Sequence, residues 1–209
     1  MDVEVGKGHG HEHGDGATLD RVRLNEVVTH VAFLGRRRRV YRRIAEISAA
    51  HQGERVLDVG CGGGYLARLL AVAVGEEGSV TGVDPSAAAI EYATRKAPGN
   101  CEFTVGVAQR LNQPDEAFDL VTSTLAVHHI PADARPAAFQ QLYRVLRPGG
   151  RLLVADFRPG GRRFSLHGRG QARRHGAAIP LDDLVTAAGF RIEGDGELPL
   201  LRYVRAVRD

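Results

Sequence analysis

The stretch Val56-Leu57-Asp58-Val59-Gly60-Cys61-Gly62-Gly63-Gly64 constrains this chain more than any other part of it. An apolar strand runs into glycines at alternate positions, and a helical pattern begins at Tyr65. Glycine lets the backbone turn sharply and lets a ligand come into contact with main-chain atoms. The loop falls at the carboxyl end of a strand, where open α/β sheets bind ligands. Its spacing is G-x-G-x-G followed by Tyr65, which departs from the G-x-G-x-x-G of dinucleotide binders.

From Arg55 onward strand and helix patterns alternate. The expected strands are Arg55–Val59, Ser79–Asp84, Cys101–Val105, Phe118–Ser123 and Arg151–Phe157. The expected helices are Tyr65–Val74, Ser86–Lys96 and Asp133–Leu146, with a turn at Pro148-Gly149-Gly150. This alternation predicts a mostly parallel sheet with helices on both faces. After an irregular Arg- and Gly-rich stretch up to Ala178 come a helix, Leu181–Ala188, and strands Phe190–Glu193 and Leu200–Val207. A short Gly-rich link between those strands predicts an antiparallel hairpin. Ahead of the alternation, residues 1–17 are rich in Gly, His and acids and are expected to lack order. Two helices are expected over 18–52. One carries Leu24, Val27, Val28, Val31 and Leu34 on one stripe; the other carries Val40, Tyr41, Ile44 and Ile47 and ends at Gly53. The chain thus divides into a tail (1–17), a helical segment that could form a lid (18–52) and a ligand-binding domain (53–209).

Composition narrows the class. At 209 residues, 43% hydrophobic and 25% charged, the sequence is that of a globular domain long enough to bury a core. No apolar run approaches the ~20 residues of a membrane helix, and Met1 to Gly16 lacks the apolar core of a signal peptide. A cytoplasmic protein is expected. Two cysteines, Cys61 and Cys101, are too few for a disulfide framework or a Cys-based zinc site, and Cys61 reads as a small packing residue. His9, His11 and His13 could chelate a metal weakly, but no second ligand group follows at metal-site spacing, so no metal is expected. The net charge of +3 comes almost wholly from arginine, clustered at Arg36–Arg39, Arg42–Arg43 and between Arg158 and Arg174. These clusters read as a solvated helix face and a loop, or as a surface for an anionic substrate or RNA.

Asp84 ends the second expected strand, about 20 residues after the glycine loop, where a carboxylate accepts from both ribose hydroxyls of a bound nucleoside. Its other reading is an N-cap for the next helix, a role Ser86 could fill instead. Taken together, Val56–Gly64, Gly82-Val83-Asp84-Pro85-Ser86, Phe118-Asp119-Leu120-Val121 and Leu146-Arg147-Pro148-Gly149-Gly150 resemble, in order and spacing, the class I S-adenosylmethionine-dependent methyltransferases. The likeness runs from Arg55 to the C-terminus and is greatest to the small-molecule branch that includes ubiquinone/menaquinone C-methyltransferases.

That resemblance implies a Rossmann-like three-layer sandwich: a mostly parallel seven-stranded sheet with an antiparallel C-terminal strand, preceded by N-terminal helices. It implies S-adenosyl-L-methionine as cofactor, with Asp58, Gly60, Cys61 and Gly62 at its methionine part. Asp84 would hold the ribose and Pro85 would flank the adenine. The segment that usually reads Gly-Asp-Ala is here Gly106-Val107-Ala108, so Val107 cannot accept from the adenine amino group, while the Ala108 N–H or Gln109 could serve. Ser123 and the following residues, through His128-His129, would border the methionine end and the acceptor pocket. Either histidine could act as acid or base, the two not being separable, or one could pack and the other face solvent.

The expected acceptor is a small molecule carrying C, N or O as the methylated atom. A nicotinamide oxidoreductase, a non-catalytic binding module and an RNA methyltransferase using the arginines are the competing readings. The last lacks an aromatic base-stacking platform, since aromatics are 6% of the chain and there is no Trp. Nucleic acid is therefore not the expected partner, no membrane span is expected, and the assembly would be a monomer or homodimer.

Overall fold

Every central strand of this protein buries both faces, and the two faces belong to different cores. In the first strand, β1 (Arg55–Val59), Val56 enters one hydrophobic cluster while Leu57 and Val59 enter the other. The same period-two split recurs in β4 (Phe118–Thr124), with Leu120 opposite Val121, and in β5 (Leu146–Phe157), with Leu153 opposite Leu152 and Val154. Strands buried on both sides read as near-continuous apolar runs, which is what these sequences show.

The computed structural model describes residues 36–158 and 179–209. The tail with its three histidines, the helix expected from Thr18 and the Arg/Gly-rich stretch 159–178 lie outside the described residues.

One sheet contains the three strands above together with β2 (Ser79–Asp84), β3 (Cys101–Val105), β6 (Arg191–Leu198) and β7 (Leu201–Val207), in the order β3-β2-β1-β4-β5-β7-β6. β3, β2, β1, β4 and β5 run parallel; β7 is antiparallel to both β5 and β6. Helices α1 (Arg37–Ser48), α2 (Tyr65–Val74) and α3 (Ala87–Thr94) cover one face, contributing Val40, Ile44, Leu66, Leu70 and Ile90. Helices α4 (Arg135–Val145) and α5 (Leu181–Ala187) cover the other through Phe139, Leu142, Leu181 and Val185. The result is the three-layer, seven-stranded Rossmann-like arrangement expected. Strand order reverses at β1, with β2 on one side and β4 on the other, so the carboxyl ends of those strands open the crevice that such sheets use for ligands.

Three local expectations need correction. The helix carrying Val40 and Ile44 ends at Ser48, where Ala49 adopts φ +49, rather than at Gly53. The Pro148–Gly150 turn is an excursion within β5: pairing jumps from Phe118↔Leu146 to Leu120↔Arg151, and the Gly149 N–H donates 2.6 Å to the Arg208 carbonyl. The glycines expected to link the last two strands lie inside β6, and Pro199-Leu200 makes the link. Gly196 pairs with Tyr203 across the ladder, and a Cβ there would stand 2.5 Å from the Tyr203 hydroxyl oxygen. Glycine in that strand leaves room for a neighbouring ring rather than marking a turn.

Gly82 plays the same part in the centre of the sheet. A Cβ on it would lie 2.4 Å from Cδ1 of the buried Phe103 ring and 3.0 Å from Cys61 Sγ. Gly82→Ala should therefore overpack this core and cost about 1–3 kcal/mol, a fall in Tm of roughly 3–10 °C. Calorimetric melting of Gly82→Ala, alone and combined with Phe103→Leu, checks it: the second change should restore part of the loss.

Candidate functional site

The glycine loop is built from backbone hydrogen bonds to the end of β2. Leaving β1, the chain turns at Gly60 (φ +77), whose N–H donates 2.7 Å to the Val83 carbonyl; the Cys61 N–H shares that oxygen at 3.1 Å. The Gly62 N–H donates 2.9 Å to Asp84 Oδ2, and the Gly64 N–H closes the turn onto the Cys61 carbonyl at 2.9 Å as α2 begins. A side chain at Gly60 would meet Ala126 Cβ at 2.2 Å, so this loop is pressed against the chain leaving β4. At Gly62 the opposite holds: no atom lies within 4 Å of a Cβ built there, so the outer side of the loop is open to a ligand.

The two readings of Asp84 separate in the structure. Ser86 caps α3, its hydroxyl accepting 3.2 Å from the Ala89 N–H. Asp84 instead ties the loop down, accepting from Gly62 through Oδ2 and from the Ser86 N–H through Oδ1 at 2.9 Å. Each carboxylate oxygen offers more than one lone pair, so two acceptor positions remain for a ligand hydroxyl pair. Pro85 is exposed beside it.

Asp58 is 2% exposed on the face covered by α2, and its Oδ1 accepts from the Thr122 hydroxyl at 2.8 Å. Burial raises its pKa to about 7; the Thr122 hydrogen bond opposes that shift, and the nearby Asp84 charge adds to it. Thr124 Oγ1, two residues along β4 on the same face, is buried and has no hydrogen-bond partner among the described residues. A buried hydroxyl left without a partner costs roughly 1–3 kcal/mol, which a polar ligand at this edge would offset. Ser123, between them, is buried and pairs with Val154 of β5. Cys61 packs in the core against the loop, and burial pushes its thiol pKa up, so it remains a packing residue and not a thiolate.

At the end of β3, the Gly106 N–H donates 3.1 Å to the Asp84 carbonyl and a tight turn returns from Val107 to Arg110. Val107 is 39% exposed, while Ala108 packs partly against the core. An apolar, accessible side chain here suits the flat face of a ring.

After β4 comes the segment holding the two histidines. Leu125 takes φ +57, its N–H bonds the Ala155 carbonyl at 2.8 Å, and a single 3-10 turn spans Val127–His129. The side chains then divide. His129 is exposed. His128 lies 2.8 Å through Nδ1 from Oδ1 of Asp156, which is fully buried at the end of β5. The His128 N–H also donates 3.0 Å to Asp156 Oδ2, and the Phe157 N–H donates 2.7 Å to Oδ1. Sequence reasoning missed Asp156. The signal was present: a lone acid closing the apolar run Leu152-Leu153-Val154-Ala155, at the same sheet edge as the glycine loop.

Asp58, Gly60, Cys61, Gly62, Asp84, Pro85, Val107, Ala108 and Ser123 thus gather at the carboxyl ends of β1 to β4. They make an acidic, glycine-lined crevice suited to a cationic ligand with a polyol and a ring. Because Asp58 titrates near 7 when folded and near 3.8 otherwise, the folded state holds the extra proton. Its contribution to stability is full below pH 4 and is lost as pH rises through 7. Stability from denaturant melts should fall in the wild type by roughly 3 kcal/mol between about pH 4.5 and about pH 8. Asp58→Asn, with no group to ionise, should flatten that slope; an unchanged slope would assign it to other residues.

Comparison with known proteins agrees with this geometry. Residues 56–150 match the family described as methyltransferase domain. The chain is 40% identical over 124 residues to 2-phytyl-1,4-naphtoquinone methyltransferase of Synechococcus elongatus, covering 56% of this chain and 52% of that protein. It is 34% identical over 175 residues to malonyl-[acyl-carrier protein] O-methyltransferase of Serratia marcescens, covering 79% and 64%. The chain therefore spans about half to two thirds of the curated relatives it matches. A SAM-dependent methyltransferase from Aquifex aeolicus superposes with TM-score 0.73 at 19% identity, over 91% of this chain and 98% of that one, and so shares the fold. Sheet order, glycine loop and sequence match together place residues 56–150 with the methyltransferase-domain family, on the Rossmann-like fold that the Aquifex aeolicus enzyme shares.

Proposed function

We propose that this chain transfers the methyl group of S-adenosylmethionine to a small organic acceptor bound at the carboxyl edge of β4 and β5. The observation that carries the reading is Asp84. One carboxylate fastens the glycine loop through Gly62 and keeps lone pairs for a ligand, immediately beside the open side of that loop. The charge of the crevice supports the same reading. Two acids, Asp58 and Asp84, would serve the ammonium and the ribose, and the Thr124 hydroxyl, without a partner among the described residues, lies at the same edge.

In this reading Asp84 receives both ribose hydroxyls, and Pro85 and Val107 sandwich the adenine. The Ala108 N–H or Gln109 stands in for the missing acid. Gly60, Cys61 and Gly62 line the methionine part, and Asp58 balances its ammonium group directly or through water. Ser123 supports the β4 end from within. When bound, the cofactor supplies an electrophilic methyl group on a sulfonium. The protein's task is to hold the acceptor atom in line with that methyl and keep water out. A quinone-type ring is the acceptor class we favour, in keeping with the naphtoquinone relative.

Among the described residues no helix is long and apolar enough to cross a membrane. We place the protein in the cytoplasm, as a monomer or homodimer, with the boundary near residue 53 supported by the break between α1 and β1. α1 nevertheless belongs to the core: Val40 and Ile44 are buried, and Tyr41 packs edge-on against Tyr65, the first residue after the glycine loop, with ring centroids 5.2 Å apart. This placement is compatible with the helical segment forming a wall at the cofactor end.

Isothermal calorimetry with S-adenosylhomocysteine and with NAD tests the reading: the first should bind saturably and the second should not, and the reverse result would overturn it. Asp84→Asn retains an acceptor for the Gly62 N–H but loses the charge offered to the ribose. Loss of charge-assisted hydrogen bonds worth roughly 1.5–3 kcal/mol should weaken S-adenosylhomocysteine about tenfold or more, with an unchanged circular dichroism spectrum.

A further inference from the structure

The methyltransferase reading leaves Asp156 unused, yet it is the most deeply buried acid at the ligand edge. At 0% exposed it accepts three hydrogen bonds, from the His128 N–H, the Phe157 N–H and His128 Nδ1. The contact with Nδ1 is between a carboxylate oxygen and a ring nitrogen at 2.8 Å, so the proton between them sits on Nδ1 when the carboxyl is ionised. That fixes the tautomer. Nε2, the other ring nitrogen, is then the unprotonated one, and no described residue hydrogen-bonds to it. His128 keeps 16% of its side chain accessible. Its backbone lies two residues beyond Ala126, the residue against which Gly60 is pressed, on the turn that follows β4.

We infer that Asp156 is a positioning residue that makes His128, and not His129, the general base for an acceptor bearing an acidic hydroxyl of the phenol class. This rests on the methyltransferase reading above. The chemistry of acceptors argues for the hydroxyl. A carboxylate acceptor is already a nucleophile and needs no base. An amine attacks through its free lone pair. A phenol or hydroquinol gains nucleophilicity, at oxygen or at the ring carbon conjugated with it, as its O–H proton leaves. The acceptor proton passes to His128 Nε2, the new bond forms to the methyl carbon, and the carbon–sulfur bond breaks with its electron pair going to sulfur. Where the ring carbon attacks, its C–H proton leaves afterwards and the oxygen takes a proton back, so by either route one proton is released for each methyl transferred. Beside the imidazole stand the exposed His129 ring, at 3.9 Å between centroids, and the Phe157 ring, at 5.0 Å; the latter offers an aromatic neighbour for an aromatic acceptor.

Asp156→Asn is the discriminating variant. Its carboxamide oxygen, in the place of Oδ2, can still receive the His128 N–H, so the 3-10 turn keeps that anchor, while the Phe157 N–H gives up its acceptor. Its amide donates to Nδ1 and moves the ring proton to Nε2, the wrong tautomer for a base. Long-range proton–nitrogen NMR correlations of the full chain should show His128 protonated on Nδ1 in the wild type and on Nε2 in Asp156→Asn. The activity probe is 1,4-naphthohydroquinone, kept reduced, with labelled S-adenosylmethionine, against a malonyl thioester as carboxylate probe. Wild type should methylate the hydroquinone. Asp156→Asn and His128→Gln should each lower kcat by about 100-fold or more, with KM and S-adenosylhomocysteine affinity within about threefold of wild type. The inference is overturned if either variant retains kcat within threefold, or if wild-type His128 carries its proton on Nε2. It is equally overturned if the enzyme binds S-adenosylhomocysteine but methylates only the carboxylate probe, or neither probe. In those cases the methyltransferase reading survives; absence of S-adenosylhomocysteine binding would instead remove that reading itself.

Discussion

The site depends on one stitch: the glycine loop after β1 is fastened to the last two residues of β2. Val83 contributes a carbonyl that takes two N–H groups, from Gly60 and Cys61, and Asp84 contributes a carboxylate that takes a third, from Gly62. A loop this rich in glycine carries a large conformational entropy, and these bonds hold it in one shape before any ligand arrives. The arrangement explains why no side chain is tolerated at Gly60, which is pressed on Ala126, while the space in front of Gly62 is clear. The same stitch couples binding to fold, because the acid that would hold a ribose is also the acid that fixes the loop beneath it.

Pleating then sorts the remaining polar groups. On β1 and β4, Asp58, Thr122 and Thr124 share the face covered by α2, and the first two satisfy one another in the core. Asp156 closes β5 on the opposite face, the one lined by Val154 and Val127. The two deeply buried acids of the edge therefore serve different neighbours. Asp58 lies under the cofactor loop, where desolvation keeps it near neutrality until a cation approaches. Asp156 lies under the turn that follows β4 and is met by three donors from residues 128 and 157.

Much of this was legible in the sequence where backbone geometry dictates residue type. Val56 to Gly64 announces strand, turn and helix because only glycine permits that path, and the apolar runs of β1, β4 and β5 announce burial on both sides. The family motifs at Phe118–Val121 and Leu146–Gly150 turn out to lie at the other edge of the sheet. There Asp119 accepts 2.8 Å from the Arg55 N–H and pairs with Arg147, bracing the amino ends of the strands far from the ligand crevice. What the sequence hid was long-range pairing. Nothing local shows that Asp156 reaches back 28 residues to His128, that Thr122 meets Asp58 across 64, or that Gly196 makes way for Tyr203. The misplaced hairpin link has the same origin: glycine that accommodates a cross-strand ring is indistinguishable, along the chain, from glycine in a turn.

This division separates cofactor from acceptor. The cofactor half is written in main-chain hydrogen bonds and glycines, and a change there breaks the loop, so its chemistry is bound to the fold. The acceptor half, as we propose it, is built from side chains on the segment after β4 and at the end of β5, where Leu125 already departs from regular strand geometry with φ +57. Residues such as His129 and Phe157 can change there without disturbing the stitch at Gly62. One scaffold can consequently keep a single methyl donor while its acceptors diverge, as the differently named relatives of this chain have done. The identity of the acceptor must be sought at the ends of β4 and β5 and in whatever packs over them, and not in the motifs that identify the family.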